Sequence, residues 1–169
     1  VLMLETKNLC LRKVATQALY LFKALLQNQF YLKQLPRKKP YTHQEVEVFL
    51  QRRIKHWFNG FGTFVICLKE NPNQSIGFVG VEKCPNPLYS DLRFMLLKEF
   101  QGNGFAKEAS IGCINYFLEQ GLLTDVYAAC MLENTISIGI LTDLGMKEIR
   151  GVNLYPCVPQ ALKTYVLSK

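Results

Sequence analysis

Residues 94–106 read FMLLKEFQGNGFA, and this segment joins the end of an apolar run to a loop with two glycines and then to the start of a helical pattern. The two glycines, Gly102 and Gly104, allow backbone N–H groups to approach a phosphate closely. The N-terminus of the helix that begins at Phe105 adds about half a positive charge. The segment therefore predicts a strand, a loop and a helix that bind an anion, although two glycines also suit a simple turn.

The segments on both sides predict further strands and helices. Before this segment we predict a strand at 9–14, helices at 17–34 and 42–60, strands at 63–68 and 76–81 around a turn at 70–74, and a strand at 92–97. After it we predict a helix at 105–117, a strand at 126–131, a helix at 134–144, and strands at 146–150 and 161–167. This order predicts an α/β (α+β) fold with a mixed central sheet of about six to seven strands flanked by about four helices.

Length and composition set the broad class. The 169 residues are 49% hydrophobic, which suits one domain spanning residues 1–169. No run of about 18 uncharged apolar residues occurs, which disfavours a membrane protein. Glu5, Lys7 and Arg12 interrupt the first residues, unlike a secretory signal, so we expect a cytoplasmic protein.

The cysteines and histidines do not have metal-site spacing. No two of the six cysteines lie within two to four residues of each other, and His43 and His56 are thirteen residues apart. Cys67, Cys113 and Cys130 lie in apolar runs, where cysteine behaves as a small hydrophobic residue. We therefore expect no metal site and inert core thiols.

The net charge of +7 raises nucleic acid as a partner. Two basic clusters contribute most visibly, residues 37–39 and the group of Arg52, Arg53 and Lys55. The first lies in a loop between prolines and the second alternates around a helix, so solvated faces explain both. We expect no nucleic-acid partner, although a basic surface also suits a polyanionic cofactor.

Two local motifs carry a family resemblance. The loop lacks the P-loop and Rossmann patterns. Gln101, Gly104 and Ala106 instead resemble the Arg/Gln-x-x-Gly-x-Gly/Ala signature of the GNAT superfamily of N-acetyltransferases. Residues 133–146 resemble that family's next motif, Glu-Asn-x-x-Ser followed by a helix. Residues 4–12 and 75–80 also resemble its RimJ/RimL-like branch of ribosomal-protein alanine and serine N-acetyltransferases, so the similarity covers nearly the whole chain.

The resemblance implies that acetyl-CoA is the cosubstrate. It places the pantetheine arm along the backbone of Met95, Leu96 and Leu97, with Asn134 as a further contact. It places the pyrophosphate on the loop, at Gln101, Gly102, Asn103, Gly104, Phe105 and Ala106. For Asn134 a plain helix cap is the alternative interpretation.

The catalytic assignments are less direct. Many relatives carry a tyrosine as general acid where this chain has Leu141, whereas the RimJ/RimL-like branch has a serine where this chain has Ser137. Ser137 is therefore our candidate acid, and a helix serine bonded to its own backbone is the alternative. Glu82 is our first candidate for the proton acceptor and Asp91 the second. For Glu82 a solvated charge at a strand end is the alternative.

The acceptor follows from a comparison of amines. At pH 7 an α-amine with a pKa of about 8 loses its proton at a cost of about 1.3 kcal/mol, against about 4.6 kcal/mol for lysine. An α-amine is therefore the easier acceptor, and the RimJ/RimL-like resemblance implies the N-terminus of a protein, which attacks the thioester directly. We expect a monomer or homodimer. Two alternatives stay open: acetylation of a small molecule or polyamine, and a noncatalytic GNAT-fold module that binds CoA or RNA.

Overall fold

A computed structural model describes residues 3–168 of the chain. Within that range it has eight strands and five α-helices. The strands are β1 (Met3–Glu5), β2 (Leu9–Lys13), β3 (Thr63–Leu68), β4 (Asn71–Lys83), β5 (Ser90–Leu96), β6 (Asp125–Met131), β7 (Lys147–Ile149) and β8 (Leu162–Ser168). The helices are α1 (Leu19–Leu26), α2 (Gln29–Leu32), α3 (His43–His56), α4 (Phe105–Glu119) and α5 (Thr135–Asp143).

The strands form one sheet in the order β1-β2-β3-β4-β5-β6-β8-β7. Neighbours are antiparallel except β5 and β6, which are parallel. This confirms the predicted mixed sheet, with eight strands instead of six to seven. The strand absent from our prediction is β1, whose three residues are too short to show an alternating pattern.

Helices cover both faces of the sheet. On one face Phe117 of α4 stacks on Phe64 of β3, with ring centroids 5.6 Å apart. On the other face Phe22 of α1 stacks on Phe78 of β4, with centroids 5.1 Å apart. The described elements share one hydrophobic core. The single domain over residues 1–169 stays a prediction.

The first predicted helix, at 17–34, is divided in the structure. A short 3-10 turn leads into α1, which ends at Leu26, and α2 is a separate helix. Asn28 causes the break: its backbone is extended, and its side-chain oxygen accepts the N–H of Phe30 at 2.9 Å. An asparagine that caps a new helix overrides apolar spacing that would otherwise continue. The structure therefore has five helices where we predicted four.

The second helix and the hairpin follow the sequence more closely. Thr42 and Glu45 form the capping box that begins α3. In the hairpin, β4 begins at Asn71, so the turn is shorter than the predicted turn at 70–74. Exposed residues 71–74 continue the strand past a β-bulge, where Pro72 is tolerated because the pairing there is irregular.

No helix within residues 3–168 is long and apolar enough to cross a membrane.

Candidate active site

The loop between β5 and α4 has the geometry of an anion site. Gly102 and Gly104 have φ angles of 82° and 78°, in the left-handed region that glycine favours. Gly104 is the N-cap of α4, and no side chain caps this helix. The first bond within α4 runs from the Glu108 N–H to the Gly104 oxygen, so the N–H groups of residues 105–107 point out of the helix end. They are available to an anion.

The Gln101 side chain ties this loop to the end of the strand. Its amide nitrogen donates to the Leu96 oxygen at 2.9 Å, and its backbone N–H donates to the Lys98 oxygen at 3.2 Å. No atom outside the local chain lies within 4 Å of a side chain built at Gly102 or Gly104. The loop is therefore held in place while the space beside both glycines stays open.

A gap between β5 and β6 leads to this loop. The two parallel strands pair at one register position, Asp91 with Tyr127. Meanwhile β5 stays paired with β4 along residues 90–96, and β6 stays paired with β8 along residues 125–131. In the described part of the chain, the backbone of residues 94–97 thus lacks a strand partner on the β6 side. An elongated ligand with amide groups can pair there like an added strand.

Helix α5 follows the other strand of the gap. Asn134 is its N-cap, and the Asn134 side-chain oxygen accepts the Ser137 N–H at 3.2 Å. The Ser137 hydroxyl has no partner within residues 3–168. Ser110 and Thr142 do donate to the oxygen four residues earlier, at 2.7 and 2.8 Å. The backbone-bonded interpretation of Ser137 is therefore wrong, and the hydroxyl is available to a ligand.

Glu82 lies in a buried ion pair. It is 2% exposed, and its two oxygens lie 2.7 and 2.5 Å from Nε of Arg53. The Thr63 hydroxyl donates to the second oxygen at 3.3 Å. Burial lowers the pKa of Arg53, and the Glu82 carboxylate opposes that shift. The solvated strand-end interpretation of Glu82 is therefore wrong.

Asp91 forms a second buried pair beside the first. It faces Glu82 across the β4–β5 register and is 2% exposed. Nε of Arg93 donates to one of its oxygens at 3.1 Å, and the Tyr155 hydroxyl donates to the other. Burial and the Asp91 charge both raise the pKa of Tyr155. Burial first, and then Asp91, raises the pKa of Cys84 to about 12, so this thiol is protonated at neutral pH.

A groove of about 590 Å³ lies between α3, the loop before it and β5. Four arginines line it, Arg37, Arg52, Arg53 and Arg93, together with Glu45 and Phe49 among others. We call it the arginine groove. Arg93 and Met95 are two residues apart on β5 and so share a face of the sheet. The groove therefore adjoins the gap between β5 and β6.

Comparison with known proteins identifies the family. A family model described as an acetyltransferase (GNAT) domain matches residues 8–147. The chain belongs to the GNAT acetyltransferase family. It is accordingly an acetyl-CoA-dependent N-acetyltransferase. A sequence search among curated proteins gives no match.

Solved structures share the fold of this GNAT enzyme at low sequence identity. An acetyltransferase from Agrobacterium tumefaciens has a TM-score of 0.87 and 19% identity, over 100% of this chain and 95% of its own. The RimL ribosomal-protein acetyltransferase in complex with coenzyme A has a TM-score of 0.77 and 16% identity, over 99% and 98%. A Salmonella typhimurium enzyme described as modifying the N-terminal serine of a 50S ribosomal protein has a TM-score of 0.79 and 14% identity, over 99% of both chains.

In this GNAT enzyme the predicted cofactor residues fall on three adjoining features. Met95, Leu96 and Leu97 are at the gap, residues 101–106 form the glycine loop, and Asn134 caps α5. The structure also places Glu82 and Asp91 side by side on the face that carries the arginine groove. The roles of these residues stay predictions.

Sequence reasoning missed three side chains that hold the two carboxylates: Arg53, Arg93 and Tyr155. Arg53 belongs to a cluster that we interpreted as a solvated face, which is wrong for this residue because its side chain is 14% exposed. A signal existed for Arg93, which lies two residues after Asp91 on a strand and so shares its face. No signal in the sequence pointed to Tyr155.

The imidazole of His56 connects the end of α3 to the end of β4 and to the segment before β3. Its Nε2 accepts the Lys83 N–H at 2.9 Å, so Nδ1 carries the proton and donates to the Phe61 oxygen, also at 2.9 Å. The bond from Lys83 requires neutral imidazole, because a protonated Nε2 cannot accept. Burial lowers the pKa of His56, and the Glu82 charge opposes the shift.

Among residues 3–168 no group of three or more His, Cys, Asp or Glu side chains is arranged to hold a metal ion. Five cysteines are buried, including the three predicted core thiols, and Cys157 is exposed. Burial strongly raises the pKa of Cys113.

Proposed function

We propose that the protein transfers the acetyl group of acetyl-CoA to the α-amine at the N-terminus of a protein, by direct attack. The observation that carries the proposal is the gap between β5 and β6, which runs from the uncapped glycine loop to the arginine groove. One end suits a pyrophosphate and the other end suits an acceptor. The thioester then lies between them.

The cofactor is held mainly by backbone groups in this proposal. The pantetheine amides pair with the free edge of Met95, Leu96 and Leu97. The pyrophosphate accepts from the N–H groups of residues 102–106, where the helix dipole favours negative charge. Asn134 uses only its side-chain oxygen as a cap, so its side-chain nitrogen can donate to the same arm.

The chemistry has three steps at the thioester. The neutral amine attacks the carbonyl carbon and forms a C–N bond. The C–S bond then breaks, and the departing thiolate accepts a hydrogen bond from the free Ser137 hydroxyl, which keeps its proton and stabilises the developing charge. The excess ammonium proton leaves through water to a carboxylate, with Glu82 as first candidate and Asp91 as second. Arg53 bonds Glu82 and Arg93 bonds Asp91, so each candidate acceptor is held in place by one arginine.

Three arguments support an α-amine acceptor over the alternatives. An α-amine is easier to deprotonate than lysine by about 3 kcal/mol at pH 7. One structural relative is described as modifying an N-terminal serine. The arginine groove has four arginines against three paired carboxylates, and this positive balance is unfavourable for a polyamine.

The test measures free thiol release from acetyl-CoA with three acceptors. These are a peptide with a free N-terminus, the same peptide with a blocked N-terminus and an internal lysine, and spermine. We expect release with the first alone, and mass spectrometry should place the acetyl group on the α-amine. Turnover with spermine alone would replace the proposal by the polyamine alternative. No turnover together with tight acetyl-CoA binding would favour the noncatalytic module.

A further inference from the structure

Two guanidinium groups in the arginine groove have donors to spare. Arg53 bonds Glu82 through Nε, and Arg93 bonds Asp91 through Nε. The terminal Nη nitrogens of both arginines have no hydrogen-bond partner within residues 3–168. Their side chains are 14% and 30% exposed, and both line the groove. Each guanidinium is thus fixed at one end by a buried carboxylate while its other end is free.

The other two arginines differ from this pair. Arg37 uses its donors locally, on the oxygens of Lys39 and Pro40 and on the Glu45 carboxylate at 2.8 Å. Its guanidinium also stacks on Tyr41, 3.9 Å from the ring centroid. Arg37 therefore holds the loop before α3 in place. Arg52 is exposed at the rim and has no ion-pair partner in the described chain.

The charges of the groove leave it positive. Its four arginines face three carboxylates, Glu45, Glu82 and Asp91, each held by one arginine. Burial lowers the pKa of Arg53, and after the opposing effect of Glu82 the nearby charge of Arg93 lowers it further. An anion that binds both guanidiniums stabilises the charged form of Arg53. It counters the effect of burial and the repulsion between Arg53 and Arg93.

Distance places such an anion close to the reacting amine. Arg93 precedes Met95 by two residues on β5, a rise of about 7 Å. An extended peptide advances about 3.4 Å per residue. If its α-amine reaches the thioester beside Met95 and the peptide runs toward Arg93, its second or third residue lies level with Arg93.

We propose that the acceptor is an acidic N-terminus: a carboxylate on its second or third residue binds the Nη groups of Arg53 and Arg93, with Arg52 at the rim. This rests on the proposed function and names its substrate class. The stacking of Arg53 on Phe49, 4.2 Å from the ring centroid, helps to orient the guanidinium. Planar guanidiniums suit a carboxylate because they offer paired donors in a fixed geometry.

The test uses three peptides that differ in the residues after an N-terminal serine: aspartate, the isosteric asparagine, or lysine, at positions two and three. We expect kcat/KM for the aspartate peptide to exceed that for the asparagine peptide by about tenfold or more, as loss of a charged hydrogen bond implies. The lysine peptide should be the poorest. Equal values for the three would overturn the inference and leave the proposed function intact.

Variants assign the preference to the groove. Arg93→Lys keeps a cation beside Asp91 but loses the paired donors, and Arg52→Gln removes the rim charge. Both should reduce the aspartate-to-asparagine ratio, Arg93→Lys by about tenfold and Arg52→Gln by a few fold. The matched control is Lys55→Gln, which removes the same charge from the exposed surface of α3 and should keep the parental ratio. An unchanged ratio in both arginine variants would contradict the inference.

A binding arm separates this inference from the proposed function. If no peptide is acetylated, the proposed function fails, and calorimetric titration of the CoA-saturated protein with the same peptides decides the inference. Tighter binding of the aspartate peptide by about tenfold, lost in Arg93→Lys, would support an acidic ligand at the groove. Equal binding of all three peptides would reject it.

Discussion

Replacement of Gly104 by alanine tests the anion site at the glycine loop. Gly104 has a φ of 78°, and no atom outside the local chain lies within 4 Å of the added Cβ. The cost is therefore backbone strain and not a clash, about 1 to 2 kcal/mol for alanine in the left-handed region. The protein should stay folded with that loss of stability.

Binding of acetyl-CoA should suffer more than stability does. The new methyl group and any relaxation of φ displace the N–H groups that we assign to the pyrophosphate. Loss of one hydrogen bond to a charged group costs about 1.5 to 3 kcal/mol, so Kd should rise by about 10- to 100-fold. Isothermal titration calorimetry with acetyl-CoA measures this, and urea unfolding measures the stability.

The matched control is Gly121→Ala at the opposite end of α4. Gly121 has a φ of 70° and also has no atom within 4 Å of an added Cβ. Because α4 has 15 residues and is about 22 Å long, the two sites are separated by the whole helix. The control should lose similar stability and keep the parental Kd. A Gly104→Ala protein that is folded and binds acetyl-CoA with the parental Kd would refute the assignment.

Three further predictions concern the catalytic and structural side chains. Ser137→Ala should lower kcat by about 10- to 100-fold and leave the Kd for acetyl-CoA nearly unchanged, and full activity in a steady-state assay would remove Ser137 from the mechanism. Glu82→Gln leaves Arg53 buried without its carboxylate and should destabilise the protein by about 3 to 5 kcal/mol in urea unfolding. A second substitution, Arg53→Met, should restore part of that loss. Unchanged stability in Glu82→Gln would contradict the ion-pair argument. The folded protein lowers the pKa of His56. The contribution of His56 to stability is therefore complete above its ordinary pKa of about 6.5 and is lost as pH falls through the lower folded pKa. The urea midpoints at pH 8 and pH 5 should consequently differ less in His56→Gln than in the parent.

Most of the fold was predictable because its signals are local. The glycine loop, the α3 capping box and the strand patterns each depend on residues within one or two turns of one another. The errors occurred where a local polar group or a short element overrides the pattern. Asn28 divides a helix that apolar spacing alone predicts as continuous, and β1 is three residues long.

Only the cofactor half of the candidate site corresponds to a pattern in the sequence, and its residue roles stay predictions. Residues 101–106 and 134–137 form motifs with fixed short spacing, whereas the acceptor half is made by contacts between distant segments. Arg53 and Glu82 are 29 residues apart, and Tyr155 and Asp91 are 64 residues apart. Single-sequence patterns contain no information on such pairings, so Arg53 looked like surface charge and Tyr155 like a loop residue.

The single pairing of Asp91 with Tyr127 has a mechanical consequence. It divides the sheet into two parts, β1 to β5 and β6 to β8, whose strands pair at one position near one end of the gap. In the proposed complex, a ligand backbone paired with β5 connects these two parts of the sheet. We therefore expect bound ligand to stiffen segments that it does not contact. The Tyr155 hydroxyl donates to Asp91 and so joins the loop before β8 to β5 at the paired end, and the ligand's own contribution therefore falls at the open end of the gap.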